Sequence, residues 1–151
     1  MICVRRADTS DASTIVNFQV QMAQETEGLT LNADTVTLGV KGLFQHPERG
    51  AYWVAEQDDR LVGCLLTIPE WSDWRNATVL WIHSLYVIPA ARNQGVWREL
   101  YDHLKRLVIT NDDYAGLRLY VDKTNQHARE IYGHLGMDNS HYELFEWMKT
   151  G

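Results

Sequence analysis

The sequence predicts an α/β fold: a mixed β-sheet flanked by helices. Two observations carry this. Runs rich in branched and aromatic residues alternate with amphipathic helical segments along the whole chain. No repeat, low-complexity tract or linker breaks the alternation. The length, 151 residues, suits one domain over 1–151, in which roughly two-thirds of the unfolded chain's surface is buried.

The elements follow in order. Ile2 to Arg6 reads as a short strand. Thr9 or Ser10 can cap a helix that carries Ile15, Phe18 and Met22 at helical spacing, and Gly28 ends it. Asn32 caps a second helix with Val36, Val40 and Leu43 on one face, closed by Pro47 and Gly50. "AYWVAEQ", a polar "DDR" turn and "LVGCLLTIPEW" form a hairpin, and "WSDWRN" leads into the long run "ATVLWIHSLYVI". Val96 to Val108 is an amphipathic helix through Trp97, Leu100, Leu104, Leu107 and Val108. "GLRLYVD" is a strand, "NQHAREIYGHLG" a helix stopped by Gly136, and "HYELFEWM" a terminal strand. The order is therefore β-α-α-β-β-β-α-β-α-β. Residues 77 to 122 form a strand-helix-strand crossover between parallel strands. A ligand belongs at the carboxyl end of the strand that enters Arg92.

Composition narrows the partners. The 14 Lys+Arg against 20 Asp+Glu give a formal charge of −6. That balance argues against nucleic acid or an anionic membrane and is compatible with a cationic substrate. No apolar run reaches the roughly 18 residues of a membrane span, and "MICVRRADTS" lacks the apolar centre of an export signal. Cys3 and Cys64 are expected as buried reduced thiols of a cytoplasmic protein. The six histidines and two cysteines show no metal-binding spacing, so no metal is expected.

The segment "YVIPAARNQGVWREL" runs from strand through Arg92-Asn93-Gln94-Gly95 into a helix. The first helical turn offers N–H groups with no partner inside the helix, and the helix dipole adds to their pull on an anion. Gly95 permits close backbone approach and Arg92 can supply a charge-assisted bond. Taken alone, the segment reads equally as an ordinary glycine junction before a helix.

A second segment adds to it. Arg92-Asn93-Gln94-Gly95-Val96-Trp97 resembles the Arg/Gln-x-x-Gly-x-Gly/Ala signature of the GNAT superfamily of N-acetyltransferases, and Asn125, Ala128, Tyr132 and Gly136 resemble its later Asn-x-x-Ala-x-x-x-Tyr-x-x-x-Gly segment. The order of elements resembles the family over essentially the whole chain.

That resemblance implies acetyl-CoA as cosubstrate, bound by Arg92, Asn93, Gln94, Gly95, Val96, Trp97 and Arg98, with its pyrophosphate on the backbone amides from about Gln94 to Arg98. It implies a pantetheine arm beside Leu85, Tyr86 and Val87, and a binding role for Asn125. The N–H near Leu85 would hold the acetyl carbonyl as it becomes an oxyanion. Tyr132 matches the family's acid position, with a core tyrosine as the alternative. His83, in "IHSLYV", resembles the histidine of the serotonin N-acetyltransferases that assists deprotonation; a histidine bonded within the sheet is the alternative. Neither motif contains a cysteine, so attack is direct.

Trp97 departs from the family's Gly or Ala, and on the stripe with Leu100, Leu104 and Leu107 it would pack beneath the loop. Glu27, Glu70 and Asp73, with Trp71 and Trp74, could hold a cationic or aromatic amine; as solvated carboxylates and edge-capping indoles they would do nothing of the kind. Glu25, beside Glu27, lies where the family often builds its acceptor site. The expected activity is acetyl transfer to a primary amine, with a small-molecule acceptor in keeping with a small acidic single-domain protein that shows no extra recognition segment. The alternatives are a protein N-acetyltransferase and a silent acyl-CoA-binding module. A homodimer is implied by the resemblance alone.

Overall fold

The structure is a computed structural model that describes residues 1–150. It falls into two compact units, Met1–Leu119 and a smaller one that begins at Tyr120.

The first unit holds one five-stranded sheet in the order β1-β2-β3-β4-β5. Strands β1 (Ile2–Arg6), β2 (Ala51–Gln57), β3 (Arg60–Ser72) and β4 (Ala77–Val87) pair antiparallel in turn, and β5 (Tyr114–Arg118) joins β4 in parallel. The parallel pair needs a crossover, which the helix α3 (Val96–Ile109) supplies. Asp58 and Asp59, with φ of 53° and 59°, make the two-residue turn between β2 and β3. Paired left-handed residues of this kind match the twist of a hairpin.

Register separates the two faces of the sheet. Trp53 on β2 pairs with Leu65 on β3, and the Trp53 ring lies 5.2 Å from His103 of α3. Those residues therefore face α3. Val54 pairs with Cys64, whose Sγ meets Gln19 of α1 (Ala12–Glu27), so the alternate residues face α1. The helix α2 (Ala33–Gln45) packs on α1 and reaches β2 through the Phe44–Tyr52 ring contact. Ile15, Val54, Leu65, Val96, Leu100 and Leu104 fill the core between these layers. The expected stripe on α3 is present, with Leu100 and Leu104 fully buried.

Caps account for most helix ends. Asn32 accepts from Thr35 N at 3.0 Å, and Gly28 closes α1 in the left-handed region at φ 64°. The first helix starts differently from expectation. Asp8, not Thr9 or Ser10, forms a capping box with Asp11 around a single 3-10 turn that precedes α1. A carboxylate outcompeted the neighbouring hydroxyls because Asp11 is itself held by Arg5, at 2.8 and 3.0 Å.

The second unit contains the helix α4 (Gln126–His134), capped by Asn125 Oδ1, which accepts from Ala128 N at 3.1 Å. Gly136, at φ 87°, reverses the chain so that Met137 N returns to Tyr132 O at 3.1 Å.

Three expectations fail. "HYELFEWM" forms no strand: residues 141–150 belong to no regular element and are exposed. Local β propensity alone does not make a strand. The fifth strand starts at Tyr114 and ends at Arg118, two residues earlier than "GLRLYVD" at its start and four at its end. Of the cysteines, both free, Cys64 is buried but Cys3 is exposed on the edge strand β1.

Candidate active site

Strand β4 carries the site, and it is irregular where it matters. Leu66 pairs with His83 but Cys64 pairs with Tyr86, so Leu65 alone opposes both Ser84 and Leu85. This is a β-bulge, and Ser84 adopts a left-handed φ of 52° to make it. A non-glycine residue rarely sits there. The bulge leaves the ladder disrupted at Leu85 and turns Tyr86 to the α1 face, the face His83 also occupies.

The other side of β4 opens at the same level. Strand β5 pairs with β4 only over Thr78–Trp81, so among the described residues Ile82 to Val87 have a strand partner on the β3 side alone. The β5 pairing of β4 stops at Trp81, and a strand edge of this kind can take an extended ligand. Leu85, Tyr86 and Val87, singled out from the sequence, stand on this stretch.

At the end of β4 the chain passes a short 3-10 turn, Pro89–Ala91, and enters α3 through Arg92-Asn93-Gln94-Gly95. Asn93 and Gly95 are both left-handed, at φ 63° and 85°. Gly95 is the N-cap, and no side chain caps the helix. Glu99 N takes the Gly95 carbonyl at 3.0 Å, while the amides of Val96, Trp97 and Arg98 precede the first intrahelical bond. A Cβ on Gly95 would meet nothing within 4 Å, so the approach to these amides is open. Gln94 turns away and donates to Ala90 O at 3.0 Å. Trp97 is half-buried with its ring 5.5 Å from Tyr101, one turn further along α3.

Arg92 is already engaged. Its Nε donates to Val87 O at 2.9 Å, Nη2 meets Glu25 Oε2 at 2.7 Å, and the guanidinium lies 5.6 Å from the centre of the Tyr86 ring. The Tyr86 hydroxyl in turn sits 2.9 Å from Gln21 Oε1 and 3.3 Å from Glu25 Oε1. Burial, then Glu25, raises the Tyr86 pKa above the ordinary phenol range. This network ties the last turns of α1 to the end of β4. Nothing in the sequence marked it, because Glu25 and Arg92 lie 67 residues apart.

His83 is half-buried and stacks with Trp81 at 6.2 Å between ring centres. Burial lowers its pKa below the ordinary 6.5, which keeps the ring neutral at pH 7. Glu70 pairs with Arg118 at 2.7 Å across β4. Trp71 lies at the end of β3, and Asp73 and Trp74 on the exposed β3–β4 turn, with Trp71 63% and Trp74 93% accessible. Glu70 is opposite Val79, six residues before Leu85, roughly 20 Å along the strand. The structure thus gathers Leu85 to Arg98 at one end of β4 and sets Trp71 and Trp74 at the other. Glu27 is the exposed last residue of α1.

In the second unit, Asn125 is the α4 cap and Tyr132 lies half-buried on that helix, its hydroxyl pKa raised by burial. Among the described residues, no cluster of three or more His, Cys, Asp or Glu could hold a metal, and no helix is long and apolar enough to cross a membrane.

Residues 18–137 match the family described as Acetyltransferase (GNAT) family. The chain belongs to that family. This GNAT chain is 29% identical over 133 residues to an uncharacterized N-acetyltransferase of Archaeoglobus fulgidus, covering 85% of this chain and 88% of the relative. Among solved structures it is similar to a possible acetyltransferase from Clostridium difficile 630, with a TM-score of 0.94 and 36% identity, covering 100% of this chain and 99% of that one. A predicted acetyltransferase from Clostridium acetobutylicum, solved with acetyl-CoA, shares the fold at a TM-score of 0.74 and 18% identity, covering 100% and 96%. The mixed sheet flanked by helices is thus the GNAT fold.

Proposed function

We propose that this GNAT protein transfers an acetyl group from acetyl-CoA to a primary amine of a small molecule. The observation that carries the reading is the bulged, splayed end of β4 leading directly into a helix with no side-chain cap. An extended thioester arm suits a strand edge beside a bulge, and a diphosphate suits the amides that start a helix; both lie on one continuous stretch of chain.

In this reading the amides of Gly95 to Arg98 take the pyrophosphate and Leu85 to Val87 pair with the arm. The Leu85 N–H, next to the bulge, faces the developing oxyanion. The amine nitrogen attacks the acetyl carbonyl, the carbon–sulfur bond breaks, and the thiolate collects a proton. Neutral His83 accepts the amine's proton, in keeping with its lowered pKa. Tyr132 supplies the proton to sulfur, a role taken from the family motif, and its raised pKa keeps it protonated. Glu27 is the proposed amine-binding carboxylate; Glu70, Asp73, Trp71 and Trp74, at the far end of β4, would meet only a distant part of an extended acceptor. The net charge of −6 suits a cationic acceptor. The proposed enzyme is one cytoplasmic acetyltransferase domain, homodimeric as the family resemblance implies.

Calorimetric titration tests the first half of this reading. Acetyl-CoA is expected to bind wild type in the micromolar range and to lose binding to Gly95→Glu, which sets a carboxylate against the amides. Release of free thiol over a panel of primary amines tests the second half, with Tyr132→Phe expected to lose at least tenfold in kcat. No heat with wild type at large ligand excess overturns the acetyltransferase reading.

A further inference from the structure

The Arg92–Glu25 pair is placed to do more than brace the fold. Both side chains are partly open to solvent, 42% and 39% accessible. Exposed ion pairs of this kind shift an equilibrium by about fivefold at most. A diphosphate competes well against such a partner, because its bonds to guanidinium are doubly charge-assisted and bidentate. Breaking the pair also leaves both residues anchored. Arg92 keeps its Nε bond to Val87 O, and Glu25 keeps the Tyr86 hydroxyl near its other oxygen. The Tyr86 proton can serve only one acceptor at a time. It now has Gln21 at 2.9 Å and Glu25 at 3.3 Å, so it can pass wholly to Glu25 when Arg92 leaves.

We propose that Glu25 is a positioning residue that competes with the cosubstrate's diphosphate for Arg92. It holds Arg92 beside the loop, and it is displaced when the diphosphate arrives. The inference rests on the acetyl-CoA reading of this site. It adds that α1 and the phosphate loop are coupled through one exchangeable contact, and that the coupling opposes binding.

Calorimetry with acetyl-CoA decides it on four proteins: wild type, Glu25→Gln, Arg92→Gln and the double variant. Glu25→Gln is expected to bind about two- to fivefold more tightly than wild type, since the competitor is gone. Arg92→Gln is expected to bind more weakly, and adding Glu25→Gln to it should change nothing further. A merely structural brace would weaken binding on removal. A general field effect of the carboxylate would raise affinity in the Arg92→Gln background as well. Either result overturns the proposal, as does unchanged affinity in Glu25→Gln. Should that variant fold poorly, Glu25→Ala carries the same expectation. No binding by wild type removes the acetyl-CoA reading itself, and the proposal falls with it; binding by wild type with no gain in Glu25→Gln removes the proposal alone.

Discussion

Gly63 on β3 and Val96 on α3 are in closest approach where the sheet meets the phosphate loop. A Cβ on Gly63 would lie 3.0 Å from Val96 Cγ1 and 3.0 Å from the Tyr86 carbonyl oxygen. The glycine therefore lets the first turn of α3 settle against the bulged part of β4. Gly63→Ala must push one of them away, at a cost of about 1–3 kcal/mol typical of overpacking. We expect Tm to fall by roughly 2–10 °C and acetyl-CoA to bind at least tenfold more weakly. A thermal melt and a titration on the same preparation check both.

Trp97 gives the opposite pattern. Its ring lies against Tyr101, so truncation is expected to remove packing before binding. Trp97→Ala should lose about 1–3 kcal/mol of stability, read by urea unfolding. Its acetyl-CoA affinity should change far less than that of Gly95→Glu. A larger loss of affinity than in Gly95→Glu would mean the indole touches the ligand.

His83 predicts a pH profile. Burial lowers its pKa, so the folded protein favours the neutral ring. As a base it is active above its folded pKa and lost as pH falls through it. The acid limb of kcat/KM should therefore lie below the ordinary histidine value of about 6.5. In His83→Gln that limb should vanish and kcat/KM fall about 10²- to 10⁴-fold at pH 7. A limb unmoved in the variant would assign the base elsewhere.

Asp11 predicts the acid side of stability. The carboxylate is buried and held by Arg5, whose hydrogen bond is the largest influence keeping its pKa below the ordinary range. A depressed carboxylate pKa stabilises the fold above the unfolded value of about 3.9 and loses that contribution as pH falls through the folded value. Asp11→Asn should cost about 1–3 kcal/mol at pH 7, with the difference from wild type shrinking below pH 4. Denaturant midpoints at pH 7 and pH 3 measure it. An equal difference at both would mean the loss comes from packing.

The sequence by itself determined most elements and the strand-to-helix junction at Gly95, because these rest on local physics. Val96, Leu100 and Leu104 at helical spacing oblige a helix to bury one face. Gly28 and Asn32 mark the end of one helix and the start of the next, since only certain residues suit those backbone positions. Gly95 before that buried stripe already located the open amides. The tertiary structure decided what depends on distant partners. Strand propensity in "HYELFEWM" did not by itself make a strand. The bulge at Ser84 has no local signature, because it is set by how β3 and β4 fall into register. Arg92, which reads from its motif as a free phosphate ligand, meets Glu25 only because β4 ends against the last turn of α1. Nearness of that kind is a property of packing, and no spacing along the chain can express it.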